Sequence, residues 1–419
     1  MDWLGLFALT LLLLLLRQNL LVLLGVAIAY ANLVFGDGRL TDIVADVWDA
    51  ANKEVLLSIP LYILAGNIMA RGVMATRLIR LMRAVAGPVP GGLAMATVLS
   101  CALFAAVSGS GTVTMLAIGA IMYPALLEAG YSRSFSIGAL CSAGTLGIII
   151  PPSIPLILFG VMTQTSIADL FLAGVGPGIL LTLTFAAYAT LRNRGIREGA
   201  WNPHEIREAI RSGTWALVMP VIILGGIYSG YFTATESAAV AVIYALFVEM
   251  LVYRELDFAG LFEVATGTTK LLGSLFPVLM FALSLNIFLT YQQVPDMAVE
   301  WLKAQVSSPL AFLIAVNVFL LLVGAVMDIG SAILILSPIL TPLAIAQGID
   351  PVHFGIIMVM NLEIGYLTPP VGMNLIVATT TFGEDFLSVC RAAVPFVALM
   401  LCALTIVSLW PDLSLFLLR

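Results

Sequence analysis

The pentapeptide Ser108-Gly109-Ser110-Gly111-Thr112 places three hydroxyl side chains and two glycines between two apolar runs of about sixteen residues each. At about 1.5 Å per residue neither run crosses a hydrocarbon core of about 30 Å. Together they predict a re-entrant helical hairpin whose tip lies inside a membrane. Hydroxyls and free carbonyls at such a tip are hard oxygen donors suited to a small cation. The free N–H groups that open the second helix suit an anion. Close packing through small residues is the other use of such a sequence.

A second motif follows, Gly147-Ile148-Ile149-Ile150-Pro151-Pro152-Ser153-Ile154-Pro155. Three prolines in five residues remove backbone donors and clash with the preceding turn, so a helix cannot run through them. The stretch predicts a discontinuous helix with unwound carbonyls available as ligands. Both features return later in the chain, as a tip at Gly324-Ala325-Val326-Met327-Asp328-Ile329-Gly330-Ser331 and a break at Gly365-Tyr366-Leu367-Thr368-Pro369-Pro370-Val371-Gly372-Met373-Asn374. Asp328 is an ionisable residue in apolar surroundings, where a charge requires a partner or a task. It can supply charge to a cation site or cap the helix that follows, and the two roles are compatible. Glu363, just before the second break, either lines the site or makes a structural hydrogen bond.

The elements that must position these residues come as a repeat. At an offset of 218 residues Pro124 meets Pro342, Gly130 meets Gly348, Gly147 meets Gly365, and Pro151-Pro152 meets Pro369-Pro370. Ser110 falls on Asp328 and Thr112 on Gly330. Before the first hairpin stand Arg71, Arg77, Arg80 and Arg83; before the second stand Asp296, Glu300 and Lys303. A basic loop marks the cytoplasm, so the halves face opposite sides. The predicted fold is an all-α polytopic membrane protein of two inverted-topology repeats. Residues 1–191 hold scaffold helices, a hairpin over 91–128 and a broken helix over 135–173. Residues 192–214, rich in arginine, form a cytoplasmic linker with one short surface helix. Residues 215–419 hold scaffold helices, a hairpin over 310–346 and a broken helix over 353–382. Further apolar segments fall at 153–173 and 174–191, and 3–33 reads as one or two retained membrane segments, because Arg17 stands in its middle rather than ahead of it.

Composition agrees. Hydrophobic residues make up 61% of the 419 and charged residues 10%, against roughly 25% charged in a soluble domain. The mean hydropathy is +1.10, so lipid is the solvent for most of the chain. The 18 basic and 24 acidic residues form no basic patch interleaved with aromatics, which argues against nucleic acid as a partner. Cys101, Cys141, Cys390 and Cys402 all lie in apolar stretches, and His204 and His353 stand far apart, so a His- or Cys-ligated metal is not expected.

The motifs resemble those of the large membrane subunit of tripartite ATP-independent periplasmic (TRAP) transporters. The resemblance is carried by LLSIPLYILAGNIMARG (56–72), VSGSGTVTMLAIGAIMYPALLEAGY (107–131), GTLGIIIPPSIPLILFG (144–160), DLFLAGVGPG (169–178), GGIYSGYFTATESAAVAVIYAL (225–246), MDIGSAILILSPILTPL (327–343) and GYLTPPVGMNL (365–375), and covers essentially the whole chain. Ala234 departs from a frequent proline there. The resemblance implies import of a small organic acid coupled to two or more Na+ ions, in the cytoplasmic (inner) membrane of a bacterium or archaeon. It implies a periplasmic substrate-binding protein and a small four-helix membrane subunit as partners, and no region of this chain is expected to supply the latter. It implies an elevator, a moving body beside a static scaffold. The sodium ligands implied are Ser108, Ser110, Thr112, Gly147 and Pro151 at the first tip and break, and Met327, Asp328, Ser331, Gly365 and Thr368 at the second. Ser110, Thr112, Ser153, Gly330 and Asn374 are the expected substrate contacts.

Three other readings compete. An ATP-driven permease subunit would draw on a separate ATPase, since the chain has no G-x-x-x-x-G-K-[ST] loop, and the inverted hairpins argue harder against it. A membrane enzyme would need a nucleophile–base pair or a metal cluster, which two histidines and the isolated Asp328 and Glu363 do not supply. A channel is the reading that sequence excludes least.

Overall fold

The computed structural model describes residues 2–16, 18–36, 40–197, 199–305 and 308–419, and every regular element among them is helical. The chain opens with α1 (Asp2–Leu15), α2 (Leu20–Phe35), α3 (Leu40–Ala51), α4 (Ser58–Arg71) and α5 (Met74–Ala86). A first hairpin follows, α6 (Gly92–Ser108) and α7 (Gly111–Glu128), then α8 (Arg133–Ile149), α9 (Ile154–Thr163) and α10 (Ile167–Arg192). The later half comprises α11 (Pro203–Tyr228), α12 (Ala234–Leu246) running into a π-helical turn Phe247–Val252, α13 (Phe258–Tyr291) and α14 (Val294–Gln305). A second hairpin, α15 (Pro309–Gly324) and α16 (Ile329–Ala346), precedes α17 (Pro351–Gly365), α18 (Met373–Phe382), α19 (Phe386–Leu409) and α20 (Asp412–Leu415).

Short polar side chains start these helices. Ser132, Ser153, Ser166, Asn202, Asp257, Ser308, Asp328, Asp350 and Asp385 each accept from a backbone N–H in the first turn that follows. Thr233 and Glu236 form a reciprocal capping box at α12. Each such cap satisfies a donor that the helix itself leaves orphaned, which matters most where no water is at hand.

Both breaks form. α8 ends at Ile149 and α9 begins at Ile154; α17 ends at Gly365 and α18 begins at Met373. The Pro151–Pro152 and Pro369–Pro370 peptide bonds are cis. The first break is buried beneath α10, where Gly174 lies against Ile149 O and the Pro151 ring. In the second, Pro369 and Pro370 are exposed. α8 and α17 are the two most enclosed helices. Every residue from Phe135 to Ile149 and from Val352 to Gly365 is buried, as expected of helices that are apolar on all sides.

Two groups of helices pack together. α2, α3 and α4 lie against α13, α12 lies on α4, and α11 joins α12 to α5. The hairpins and broken helices make the other group. α8 packs on α6 and α7, and α17 on α15 and α16. The shorter halves cross over, α9 packing on α16 and α18 on α7. The groups meet where Gly66 of α4 abuts the Ser108 backbone, where the rings of Tyr62 and Phe171 lie edge to face at 6.3 Å, and where Asn286 donates to Met162 O at 3.0 Å.

Several boundaries differ from expectation. The broken helix expected over 135–173 ends at Thr163, because Gln164 takes a left-handed conformation (φ 57°) before Ser166 caps a new helix. The segments expected at 153–173 and 174–191 divide there instead, and α10 carries Pro177 within it. Among the described residues the linker contains no separate surface helix. Asn202 caps α11, which runs unbroken from Pro203 into the apolar stretch. Residues 3–33 form two helices, while Arg17 lies outside the described residues.

Candidate functional site

The first tip turns in two residues. Gly109 takes φ +60° between α6 and α7, and a Cβ there would stand 2.8 Å from Pro152 O, so the position needs glycine for both conformation and space. The tip is tied to the break, with Ile154 N donating to Gly109 O at 3.3 Å. The second tip is tied in the same manner, with Val371 N donating to Ala325 O at 3.1 Å. Gly365 packs so closely on the Gly324 backbone that a Cβ would fall 2.3 Å from Gly324 C.

Three oxygens gather between the first tip and α8. Ser108 Oγ and Thr114 Oγ1 are 2.7 Å apart and hydrogen-bonded, and Ser108 Oγ donates to Ser110 O at 3.3 Å. Gly147 supplies the space opposite them, since its Cβ would lie 2.7 Å from Ser110 O and 2.9 Å from Thr114 Oγ1. Ser108, Ser110 and Gly147, expected together, are therefore together. Thr114 joins them and was not among the expected residues. Pro151 lies under α10, away from this cluster.

At the second tip the two roles open to Asp328 can be weighed. Its Oδ2 accepts from Ser331 N at 2.9 Å and its Oδ1 accepts from the Ser331 hydroxyl. It is thus the N-cap of α16, with Ser331 as its partner. Thr368 donates its hydroxyl to Ile364 O at 2.9 Å, keeping its lone pairs free, and Met327 closes the turn through its N–H to Val323 O at 2.8 Å.

A cavity of about 150 Å³ joins the two tips. Ser110, Gly111 and Thr112 line it from the first, Gly330 from the second, and Tyr366 from the second break, with Leu275 of α13 on the far wall. The first turns of α7 and α16 both open onto it, and no basic side chain lines it. Donors for an anion are then backbone N–H groups at two helix N-termini. Thr112 Oγ1 donates to Asn374 Oδ1 at 3.0 Å, while Asn374 Nδ2 is buried without a partner. Ser153 departs from expectation. It is fully buried, accepts from Leu156 N and donates to Ile148 O, so its hydroxyl serves the break rather than the cavity. Glu363 is fully buried in α17 beside the Thr145 hydroxyl, which donates to Ser142 O. A larger cavity of about 740 Å³ lies between α5 and residues 199–205, and no tip or break residue reaches it.

Comparison with known proteins gives this geometry a family. Residues 7–413 match the family described as Tripartite ATP-independent periplasmic transporter, DctM component. The chain is 40% identical over 395 residues to the C4-dicarboxylate TRAP transporter large permease protein DctM of Pseudomonas aeruginosa, covering 94% of this chain and 92% of that one. It is 37% identical over 400 residues to the isethionate TRAP transporter permease protein DctMQ of Oleidesulfovibrio alaskensis, covering 94% of this chain and 62% of the relative. The crystal structure of the Alcanivorax borkumensis YdaH transporter is similar in fold, with a TM-score of 0.69 at 14% identity over 91% of this chain and 90% of that one. With a family match over nearly its whole length, nine apolar helical stretches of at least 18 residues among the described residues, and relatives named as permeases rather than enzymes, the chain belongs to the DctM component family of tripartite ATP-independent periplasmic transporters, as a multi-pass large permease of the inner membrane.

Proposed function

We propose that this chain imports a small organic acid together with sodium, by alternating access between two inverted repeats. The observation that carries the reading is the convergence of both tips on one small cavity, beside an oxygen cluster at the first. A solute with an anionic head meets helix N-termini there, and Na+ meets Ser108 Oγ, Ser110 O and Thr114 Oγ1, a hard-oxygen set that fits a small cation. At the second tip the Na+ ligands are drawn from Met327, Asp328, Ser331, Gly365 and Thr368. The substrate contacts are Ser110, Thr112 and Gly330, with Asn374 behind Thr112.

Matching helix starts support the repeat. α7 and α16 begin at Gly111 and Ile329, α8 and α17 at Arg133 and Pro351, α9 and α18 at Ile154 and Met373. The relatives' named substrates, C4-dicarboxylate and isethionate, support an anionic solute. The family's description as tripartite and periplasmic supports a small membrane subunit and a periplasmic binding protein as partners. The longer DctMQ relative, of which this chain covers 62%, fits a small subunit fused to the large one.

The test is uptake into vesicles holding the assembled large and small subunits, with substrate-loaded binding protein outside. Uptake should require an inward sodium gradient and persist without ATP. Equal uptake with no cation gradient would sink the proposal.

A further inference from the structure

Glu249 is a buried carboxylate that neither tip nor break employs. It sits in the π-helical turn Phe247–Val252 at the end of α12. Its Oε2 accepts from Val73 N at 3.2 Å and its Oε1 from Met74 N at 3.1 Å. These N–H groups open α5 and have no acceptor within that helix. A carboxylate there also answers the positive end of the helix dipole. Gly72 makes room for it: a Cβ would lie 2.1 Å from Glu249 Cδ, and its φ of −77° shows that space, not conformation, demands glycine. Glu249 O in turn holds Glu255 N and Leu256 N.

The rest of α5 is tied down as well. The Arg77 guanidinium lies near the carboxylate and 4.2 Å over the Tyr253 ring. Tyr253 donates its hydroxyl to Ser212 O of α11 at 2.8 Å, Gly213 of α11 packs on Leu81, and Trp201 Nε1 donates to Val85 O at 3.1 Å. Beyond its last turn the chain passes through Gly87–Gly91, with Gly91 at φ +67°, into the first hairpin. α5 also packs along α6 of the first hairpin, as its counterpart α14 packs on α16 of the second.

We infer that Glu249 is a positioning residue for transport: it bolts the arm helix α5 to α11 and α12, so that the arm stays with the scaffold and the first hairpin turns about residues 87–91. The inference rests on the alternating-access reading above. Two spin-label pairs in the assembled transporter test it. Val85 with Leu251 spans the bolted unit, and Val85 with Leu116 spans the turn; all three side chains are exposed. Between sodium-free vesicles and vesicles with sodium and loaded binding protein, the first distance should hold and the second should shift. Glu249→Gln loses one acceptor and the charge. It should broaden the first distance and lower the maximal uptake rate about tenfold, with half-saturating sodium and substrate unchanged. Gly72→Ala pushes on the same carboxylate and should give the same pair of changes, and it serves should Glu249→Gln not accumulate. A first distance that shifts in the wild type, or both variants transporting at the wild-type rate with that distance sharp, overturns the inference. A second distance that stays constant defeats alternating access itself, and the first pair still reports whether the bolt exists.

Discussion

Thr112, in the first turn of α7, donates its hydroxyl across 3.0 Å to the carboxamide oxygen of Asn374, in the first turn of α18. One residue follows the first tip and the other follows the second break, so this single bond joins the two halves of the chain at the cavity. Thr112→Val keeps the shape and removes the donor. Asn374, already short of a partner for its Nδ2, would then be wholly unpaired. Thermal unfolding in detergent should show a loss of about 1–3 kcal/mol, and uptake should show a raised half-saturating substrate concentration. Unaltered stability and uptake would mean that the bond joins nothing of consequence.

Gly147 and Thr114 carry the sodium prediction at the first tip. Gly147→Ala pushes a methyl group into the space beside Ser110 O and Thr114 Oγ1. Thr114→Val removes one oxygen and leaves the space. Both should raise the half-saturating sodium concentration, the second by about tenfold, the effect of losing about 1.4 kcal/mol of binding. Sodium titration of uptake at matched expression measures it. Identical titration curves for Thr114→Val and wild type would remove the cluster from the cation path.

Asp328 separates charge from cap. Asp328→Asn retains an oxygen for Ser331 N, whereas Asp328→Ala loses the cap at a cost of about 1 kcal/mol. A carboxylate that balances a cation predicts weaker sodium affinity in both variants. A cap alone predicts weaker stability in Asp328→Ala and an ordinary sodium dependence in Asp328→Asn. We expect the first pattern in uptake assays and the stability loss in the alanine variant only.

The two helix groups should move past each other as bodies. Cysteines replacing Tyr62 and Phe171, whose rings meet at 6.3 Å, should crosslink in one state and arrest uptake once the four native cysteines are replaced. Labels at Leu116 and Ile179, both exposed within the hairpin group, should keep one distance throughout, while Ile179 and Val221 should not. If the Leu116–Ile179 distance varies as widely as the other, the change is local gating of a tip.

Much of the fold was legible because polar and proline interruptions in an apolar chain have few uses. The hairpins expected over 91–128 and 310–346 match α6–α7 and α15–α16 to within a residue at each end. Both Pro-Pro breaks formed where the missing donors required them. What escaped has physical reasons. Thr114 lies one turn inside α7, where a threonine reads as ordinary helix, and only the fold brings it to Ser108. Ser153 was expected to contact substrate, and in the fold its hydroxyl accepts from Leu156 N and donates to Ile148 O. α3 was missed because it is amphipathic rather than apolar. Glu249 is 176 residues from Val73, and no local pattern links a carboxylate to an N-terminus so remote. The end of α9 depends on Gln164 taking a left-handed conformation, which neither glycine nor asparagine advertised.

The crossed packing of α9 on α16 and of α18 on α7 also constrains how the chain is made. When a ribosome has delivered residues up to α10, α9 has no α16 to lie on and α7 has no α18. α8, buried from end to end in the finished fold, has α6, α7 and α10 about it by then but still lacks the cover that α19 and α17 bring. The first half is therefore completed only by the second, and final closure falls after synthesis of α19. A chain halted in the linker would keep its first tip tied to its own break, yet leave the flanks that α16, α18 and α19 cover open to the membrane.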